Sequence, residues 1–264
     1  MPPHHISSRD NPLLVRLRRL TAGRSAHRRE AAVWLEGEHL CSALRARGLA
    51  ATHAVISETA WAAEPALREL AGWAAQTVVV ADAQFKGLST LASPAAIGFL
   101  IAAPAQPALD AGSASIVLDR LQDPGNVGSI LRSAAALGVR QVLALEGTAA
   151  LWSPKVLRAG MGAHFALRLL EGLAPEALDA LQVPLLATSS HAGQTLHEAA
   201  LPRPCAWVLG HEGQGVSASL LARCALQLRI PQPGGEESLN VAAAAAICLY
   251  ESARRAPASP GDAQ

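Results

Sequence analysis

Three short stretches of this 264-residue chain set polar side chains among glycines and prolines. The first is Asp123-Pro124-Gly125-Asn126-Val127-Gly128, followed by a predicted helix that carries Arg132. Gly125 and Gly128 let a ligand approach the backbone closely, and Asn126 is a good helix cap. The loop is not the GxGxxG fingerprint and has no Walker Gly-Lys-Ser/Thr, so its glycines alone argue weakly for a nucleotide. Ile130, Ala134 and Leu137 make the core stripe of the helix. At about 100° per residue, Arg132 lies about 200° from Ile130 and points away from the sheet. On geometry alone the plainer reading is a solvated surface arginine.

The second stretch, Leu209-Gly210-His211-Glu212-Gly213-Gln214-Gly215, closes an apolar run. Three glycines around one carboxylate describe a tight path that leaves Glu212 at the end of a strand. An ordinary glycine-rich turn fits equally well. His211 has no paired histidine and no HExxH context, so it reads as a bystander and not a metal ligand. The third stretch runs from Ile230 through Pro231, Gln232, Gly234 and Glu236 to Ser238-Leu239-Asn240. Ser238 is the expected cap of the last helix, and Glu236 and Glu237 suit the positive end of its dipole. Asn240, placed by this reading inside the first turn, is left without a structural reason because Asn forms helix poorly.

Alternating elements must position these loops. Ser115–Leu121, Gln141–Leu145, Pro184–Thr188, Ala206–Leu209 and Ala225–Ile230 have the length and content of strands. Helices are expected over Val127–Leu137, Pro154–Met161 and Ser238–Arg255. Such alternation predicts a mostly parallel α/β sheet covered on both faces, with ligands at the strand C-terminal ends. Upstream, Leu13, Leu17 and Leu20 make one helical stripe, with Arg16, Arg18 and Arg19 off it and Arg24, Arg28 and Arg29 following. Strands near Val33–Leu35, His53–Ser57, Thr77–Ala81 and Ala96–Ile101, with helices at Glu38–Arg47 and Pro65–Ala75, predict a small α/β unit. The Ala/Pro/Gly-rich run 102–112 reads as a connection. The expected organisation is therefore a domain at 1–102, a linker at 103–114, a domain at 115–255 and a disordered tail at 256–264.

Composition narrows the classes. Half the residues are apolar, only nine are aromatic, and the net charge is +1. Residues 1–50 hold nine Arg against four Asp or Glu, so they carry +5 while the remainder carries −4. Cys41, Cys205, Cys224 and Cys248 are widely spaced with no CxxC, so buried reduced thiols are expected and no metal site. No apolar signal region and no run of about 18 apolar residues is present, which predicts a soluble, cytoplasmic protein with no membrane partner.

Taken together, the three stretches resemble the signature motifs of the SpoU/TrmH-type RNA ribose 2′-O-methyltransferases of the SPOUT superfamily. The first motif is Asn126-x-Gly128-x-x-x-Arg132. The second is Gly210-x-Glu212-x-x-Gly215, ending in Ser217, and the third is Ile230-Pro231 followed by Gly234 and Ser238-Leu239-Asn240-Val241. Ser153–Phe165 is also similar to this family, and residues 9–47, with Asn11-Pro12 and Leu35-Glu36-Gly37, resemble its substrate-binding domain. Gln232 stands where Met is usual, and Gly160 where Ser is common.

The resemblance implies an α/β, mostly parallel sheet with a C-terminal trefoil knot, preceded by a small α/β substrate-binding domain, in a homodimer. Nothing in the periodicity indicates a knot, and general topology rules argue against one. The implied cofactor is S-adenosyl-L-methionine, held by Thr188, Leu209, Gly210, Ile230, Gln232 and Leu239. Asn126, Arg132, Glu212, Ser238 and Asn240 are the implied catalytic set. Arg132 as general base conflicts with a guanidinium pKa above about 12. The other assignment is a phosphate clamp, with Glu212 or water taking the proton. Arg16, Arg19, Arg28 and Arg29 would contact RNA phosphates, and ribosomal RNA of the large subunit is favoured over transfer RNA. A non-catalytic RNA-binding protein on the same scaffold is the competing class, and it would fit loss of Asn126, Arg132 or Asn240. A Rossmann-type NAD(P) enzyme is excluded by the missing fingerprint.

Overall fold

The computed structural model describes residues 2–89, 93–190, 192–234 and 238–255. They form two units: Met1–Ala105 with Trp152–Phe165, and Gln106–Leu151 with the rest of the chain from Ala166. The expected tail at 256–264, and Glu236 and Glu237, lie outside the described residues.

The first unit runs β1 (His4–Ile6), α1 (Pro12–Ala22), α2 (Ala26–Glu30), β2 (Ala32–Glu36), α3 (Glu38–Ala46) and β3 (His53–Ser57). It continues through α4 (Glu58–Ala63), α5 (Pro65–Ala71), β4 (Gln76–Val80), α6 (Asp82–Lys86) and β5 (Ile97–Ala102). Its sheet has the order β1-β4-β3-β5-β2; β1, β4 and β3 are parallel, and β5 is antiparallel to both β3 and β2. Alternation along β2 sends Val33 and Leu35 to one core and Ala32 and Trp34 to the other. The second of these cores takes α1 through Leu14, Leu17 and Leu20; the predicted stripe had Leu13 in place of Leu14, and Leu13 only packs partly buried against this core. Asn11 caps α1, its side chain accepting from Leu13 N at 2.9 Å, with Pro12 at the first helical position. β1, α2, α4 and α6, three to six residues each, were too short for their periodicity to predict them.

The second unit contains β6 (Ser115–Asp119), α7 (Pro124–Ala136) and β7 (Gln141–Leu145). After α8 (Pro154–Gly160) come β8 (Arg168–Leu173), β9 (Leu185–Thr188), β10 (Ala206–Gly210), α9 (Ala218–Leu221), β11 (Leu226–Leu228) and α10 (Val241–Arg254). Its six strands are all parallel in the order β11-β9-β10-β6-β7-β8. Val117, Leu143, Leu170, Ala187 and Val208 fill one face with Leu178 and Leu220. Helices α7 and α10 pack together, and Trp207 on β10 donates its indole N–H to Ser252 Oγ at 3.0 Å.

Two boundaries differ from a linear division of the chain. The Ala/Pro-rich run is pinned to the second unit from Gln106 on. Gln106 Oε1 accepts from Glu171 N at 3.1 Å, and the fully buried Gln141 exchanges hydrogen bonds with the backbone of Asp110 at 2.7 and 3.0 Å. Trp152–Phe165, by contrast, joins the first unit, because Leu157 of α8 enters the core built on Val33, Leu35, Leu40 and Phe99.

Candidate active site

Asp119 at the end of β6 pairs in register with Gly210 at the end of β10, so the loops after these parallel neighbours emerge side by side. The first loop turns at once into α7. Its cap is Asp123, not Asn126: Asp123 Oδ1 accepts from Asn126 N at 2.8 Å, and Pro124 takes the first helical position. Asn126 therefore sits in the first turn with its side chain free for other contacts. The same correction applies at α10. There the cap is Asn240 and not Ser238, its Oδ1 accepting from Ala242 N at 2.9 Å and Ala243 N at 3.3 Å. That gives Asn240 the structural reason the sequence reading lacked.

These two asparagines and Glu212 form one hydrogen-bonded line. Asn240 Nδ2 donates to Asn126 Oδ1 at 3.0 Å, and Asn126 Nδ2 donates to Glu212 Oε1 at 3.2 Å. Glu212 also accepts from Asp123 N at 3.1 Å and Gln122 N at 3.3 Å. Partial burial raises the Glu212 pKa, but the backbone and Asn126 donors outweigh it and hold the carboxyl below its ordinary value. Three sequence-distant motifs thus meet through side chains, with an anion fixed where α7 begins.

Arg132 follows on the exposed face of α7, opposite the buried Ile130, Leu131 and Ala134. Among the described residues it makes no hydrogen bond or ion pair. Helical side chains lean toward their own N-terminus, and for α7 that is the end where Asn126, Glu212 and Asn240 meet.

Gly210 has a reason of its own. A Cβ there would lie 2.1 Å from both Gly215 C and Val216 N, so the loop folds back onto it only because the residue is glycine. The fold-back is closed by Gly215 N donating to His211 O at 2.8 Å, with Gly215 at φ +68°. His211 serves this turn, accepting from Gly213 N through Nδ1 at 3.0 Å.

The deciding observation is a family match. The model of the SpoU rRNA methylase family matches residues 113–250, the span that holds all three motifs. The chain belongs to the SpoU rRNA methylase family. A Synechocystis sp. (strain ATCC 27184 / PCC 6803 / Kazusa) protein named an uncharacterized tRNA/rRNA methyltransferase is 34% identical over 272 residues, 97% of this chain and 96% of its own. The 23S rRNA (guanosine(2553)-2′-O)-methyltransferase RlmP of Bacillus subtilis (strain 168) is 32% identical over 82% of this chain and 86% of its own. A crystal structure of an RNA 2′-O ribose methyltransferase has a TM-score of 0.79 at 32% identity, covering 95% of this chain and 98% of that one.

In this SpoU-family chain the remaining predicted site residues are scattered between roles. Thr188 ends β9, Leu209 and Gly210 end β10, and Ile230 and Gln232 follow β11, so they rise from neighbouring strands. Ser238 and Leu239 are exposed just before α10. In the first unit, Arg16 and Arg19 converge on Glu30 at 3.6 and 3.8 Å, and Arg16 also donates to the Glu30 carbonyl. Arg28 and Arg29 are exposed on α2.

Sequence reasoning missed a cluster at the end of β6. Asp119 is only 3% exposed, yet it accepts from Arg120 Nε at 2.9 Å, Arg120 Nη2 at 3.3 Å and Ser217 N at 2.7 Å. Burial alone would raise its pKa; these donors bring it below the ordinary value. A buried-looking Asp beside an Arg was the available signal, but it needed the strand register to place Ser217 next to it.

Proposed function

We propose that this chain transfers the methyl group of S-adenosylmethionine to a ribose 2′-hydroxyl of ribosomal RNA. The observation that carries the reading is the line Asn240–Asn126–Glu212, assembled from three motifs at the helix that bears Arg132, which has no partner among the described residues. The name of the B. subtilis relative supports ribosomal RNA.

Thr188, Leu209, Gly210, Ile230, Gln232 and Leu239 would hold the cofactor. Gln232 Oε1 fits this role: it is buried with no hydrogen-bond partner among the described residues, and adenosine offers amino and hydroxyl hydrogens to such an acceptor. Bound there, S-adenosylmethionine supplies a methyl group made electrophilic by its sulfonium. The chain's own residues then have two tasks, alignment and one proton. Asn126, Ser238 and Asn240 orient the ribose hydroxyl. Glu212, satisfied by its donors and held acidic, is an anchored anion and a poor proton acceptor. The Arg132 guanidinium clamps the phosphate beside the target ribose, and the hydroxyl proton leaves to water.

The reading extends to the rest of the molecule. The C-terminal segment forms the trefoil knot that the family resemblance implies. The chain acts as a homodimer, with Ile247 and Tyr250 of α10, 40% and 59% exposed, as apolar surface for the contact. It works in the cytoplasm; among the described residues no helix is long and apolar enough to cross a membrane. The first unit is the RNA-binding domain, with Arg28 and Arg29 contacting phosphates and Arg16 and Arg19 doing so from their places on Glu30. Transfer RNA is a second reading, favoured by the name of the Synechocystis relative.

The test is transfer of labelled methyl from S-adenosylmethionine to unmodified 23S ribosomal RNA and to bulk transfer RNA. The expected product is label in an alkali-resistant dinucleotide of the ribosomal RNA, since a 2′-O-methyl blocks cleavage at that position. Label in a base, or in transfer RNA alone, would contradict the reading.

A further inference from the structure

Arg120 adopts φ +59°, the left-handed region that bulky L-residues rarely enter, one residue after β6 ends. This turn lays its guanidinium along the carboxylate of its own neighbour, Asp119, in a two-pronged contact. The remaining arm reaches across: Arg120 Nη1 donates to Gln214 Oε1 at 3.2 Å. Gly147, at φ +86°, clears the space, since a Cβ there would lie 3.2 Å from Arg120 Cγ. Asp119 meanwhile accepts from Ser217 N. The two residues therefore grip the 211–217 loop at its middle and at its far end. Glu212, at its near end, is held by the backbone of Gln122 and Asp123.

From this geometry we infer that Arg120, anchored on Asp119, is a positioning residue that sets the 211–217 loop and so the placement of Glu212 against Asn126. The inference rests on the methyltransferase reading for its catalytic consequence, but not for the grip itself. Strained conformations persist where the surroundings over-determine them, and they collect at functional sites. Here the strain sits between a buried carboxylate and a motif loop. A structural turn needs no arginine: glycine would take φ +59° without strain.

That contrast supplies the test. Arg120→Gly relieves the strain but takes two donors from the buried Asp119 carboxylate, so its thermal midpoint is expected to fall. Gln214→Ala, which spares that pair, is the variant with an unperturbed midpoint. Two readouts on the full chain then decide. Amide hydrogen exchange at Gly215 and Ser217 should quicken at least about 10-fold, as expected when a local tether opens. The single-turnover methyl-transfer rate should fall at least about 10-fold, with a smaller change in apparent affinity for S-adenosylmethionine. Gln214→Ala, which leaves the Asp119–Arg120 pair intact, should move both readouts in the same direction and less. Arg120→Lys, keeping the charge without the fork, should restore only part of each. Faster exchange with an unchanged rate would overturn the positioning role, and a lower rate with unchanged exchange would overturn the grip. A wild-type chain that transfers no methyl group would refute the methyltransferase reading instead, and the exchange comparison would still decide the grip.

Discussion

Helices α1 and α7 look alike in sequence: each has an apolar stripe with arginine off it. In the folded chain their arginines live differently. Arg16 and Arg19 of α1 close on Glu30, whereas Arg132 of α7 has no partner among the described residues. At the N-terminal end of the same helix the polar groups are instead tied to one another, Asn240 to Asn126 and Asn126 to Glu212. An arginine that the fold uses finds a carboxylate. On the proposed function Arg132 is kept for a ligand, on a helix whose first-turn polar groups already have their hydrogen bonds, as preorganised sites avoid reorganising during reaction.

After Arg132 itself, the largest effect expected in sharpening this contrast comes from Asn240→Ala. It removes the cap of α10, worth about 1 kcal/mol, and leaves Asn126 Oδ1 without its donor. Turnover should fall about 10-fold, one decade per ~1.4 kcal/mol of lost alignment, and the midpoint should drop by about 2–4 °C. Calorimetry and single-turnover rates check both. A full-rate variant would mean that the line of side chains is only a helix cap.

Acid should loosen the Glu212 side of the comparison next. The folded pKa values of Glu212 and Asp119 are lowered, so their stabilisation is complete above the ordinary carboxylate pKa and is lost as pH falls through the lowered values. Glu251, pushed down to about 2 by hydrogen bonds from Arg254 and Arg255, keeps its grip on the end of α10 for longer. Exchange at 211–217, corrected for intrinsic rates, should therefore quicken on acidification before exchange in α10 does. The reverse order would break this assignment.

The smallest effects belong to α1 and α2. Arg16→Ala should cost about 0.2–1 kcal/mol through its pairing with Glu30, as half-exposed ion pairs do. Arg29→Ala should cost no stability and lower the log–log salt slope of RNA binding by about one unit. Equal stability losses for both would erase the distinction between Arg16, which the fold pairs, and Arg29, which has no partner among the described residues.

How far the sequence carried this account depends on the scale of each feature. The motif residues were readable only through the joint resemblance of three stretches to one family, since each alone fits an ordinary turn or a surface arginine. The parallel sheet was readable because strand-length apolar runs alternate with helical stripes. The helix caps were misplaced by two or three residues. Asp123 and Asn126 are both good caps, as are Ser238 and Asn240, and only the hydrogen bonds choose between them. Helix α8 carries the same apolar stripe whichever unit it joins, so Leu157 gave no sign that it enters the core of the first. The Asp119–Arg120 grip was hidden for a different reason: it depends on a left-handed arginine and on the register of β6 against β10.

On this account Arg132 has no partner among the described residues because RNA pairs it. The direct measurement is the single-turnover methyl-transfer rate of Arg132→Ala, taken with its thermal midpoint and beside Arg132→Lys. Removing an exposed side chain with no partner among the described residues should change stability by less than about 0.5 kcal/mol. Losing a charge clamp should slow transfer at least about 100-fold, and lysine, lacking the planar fork, should not restore it. Transfer at the wild-type rate by Arg132→Ala would contradict the account, and rescue by lysine that rises with pH would replace the clamp with a base.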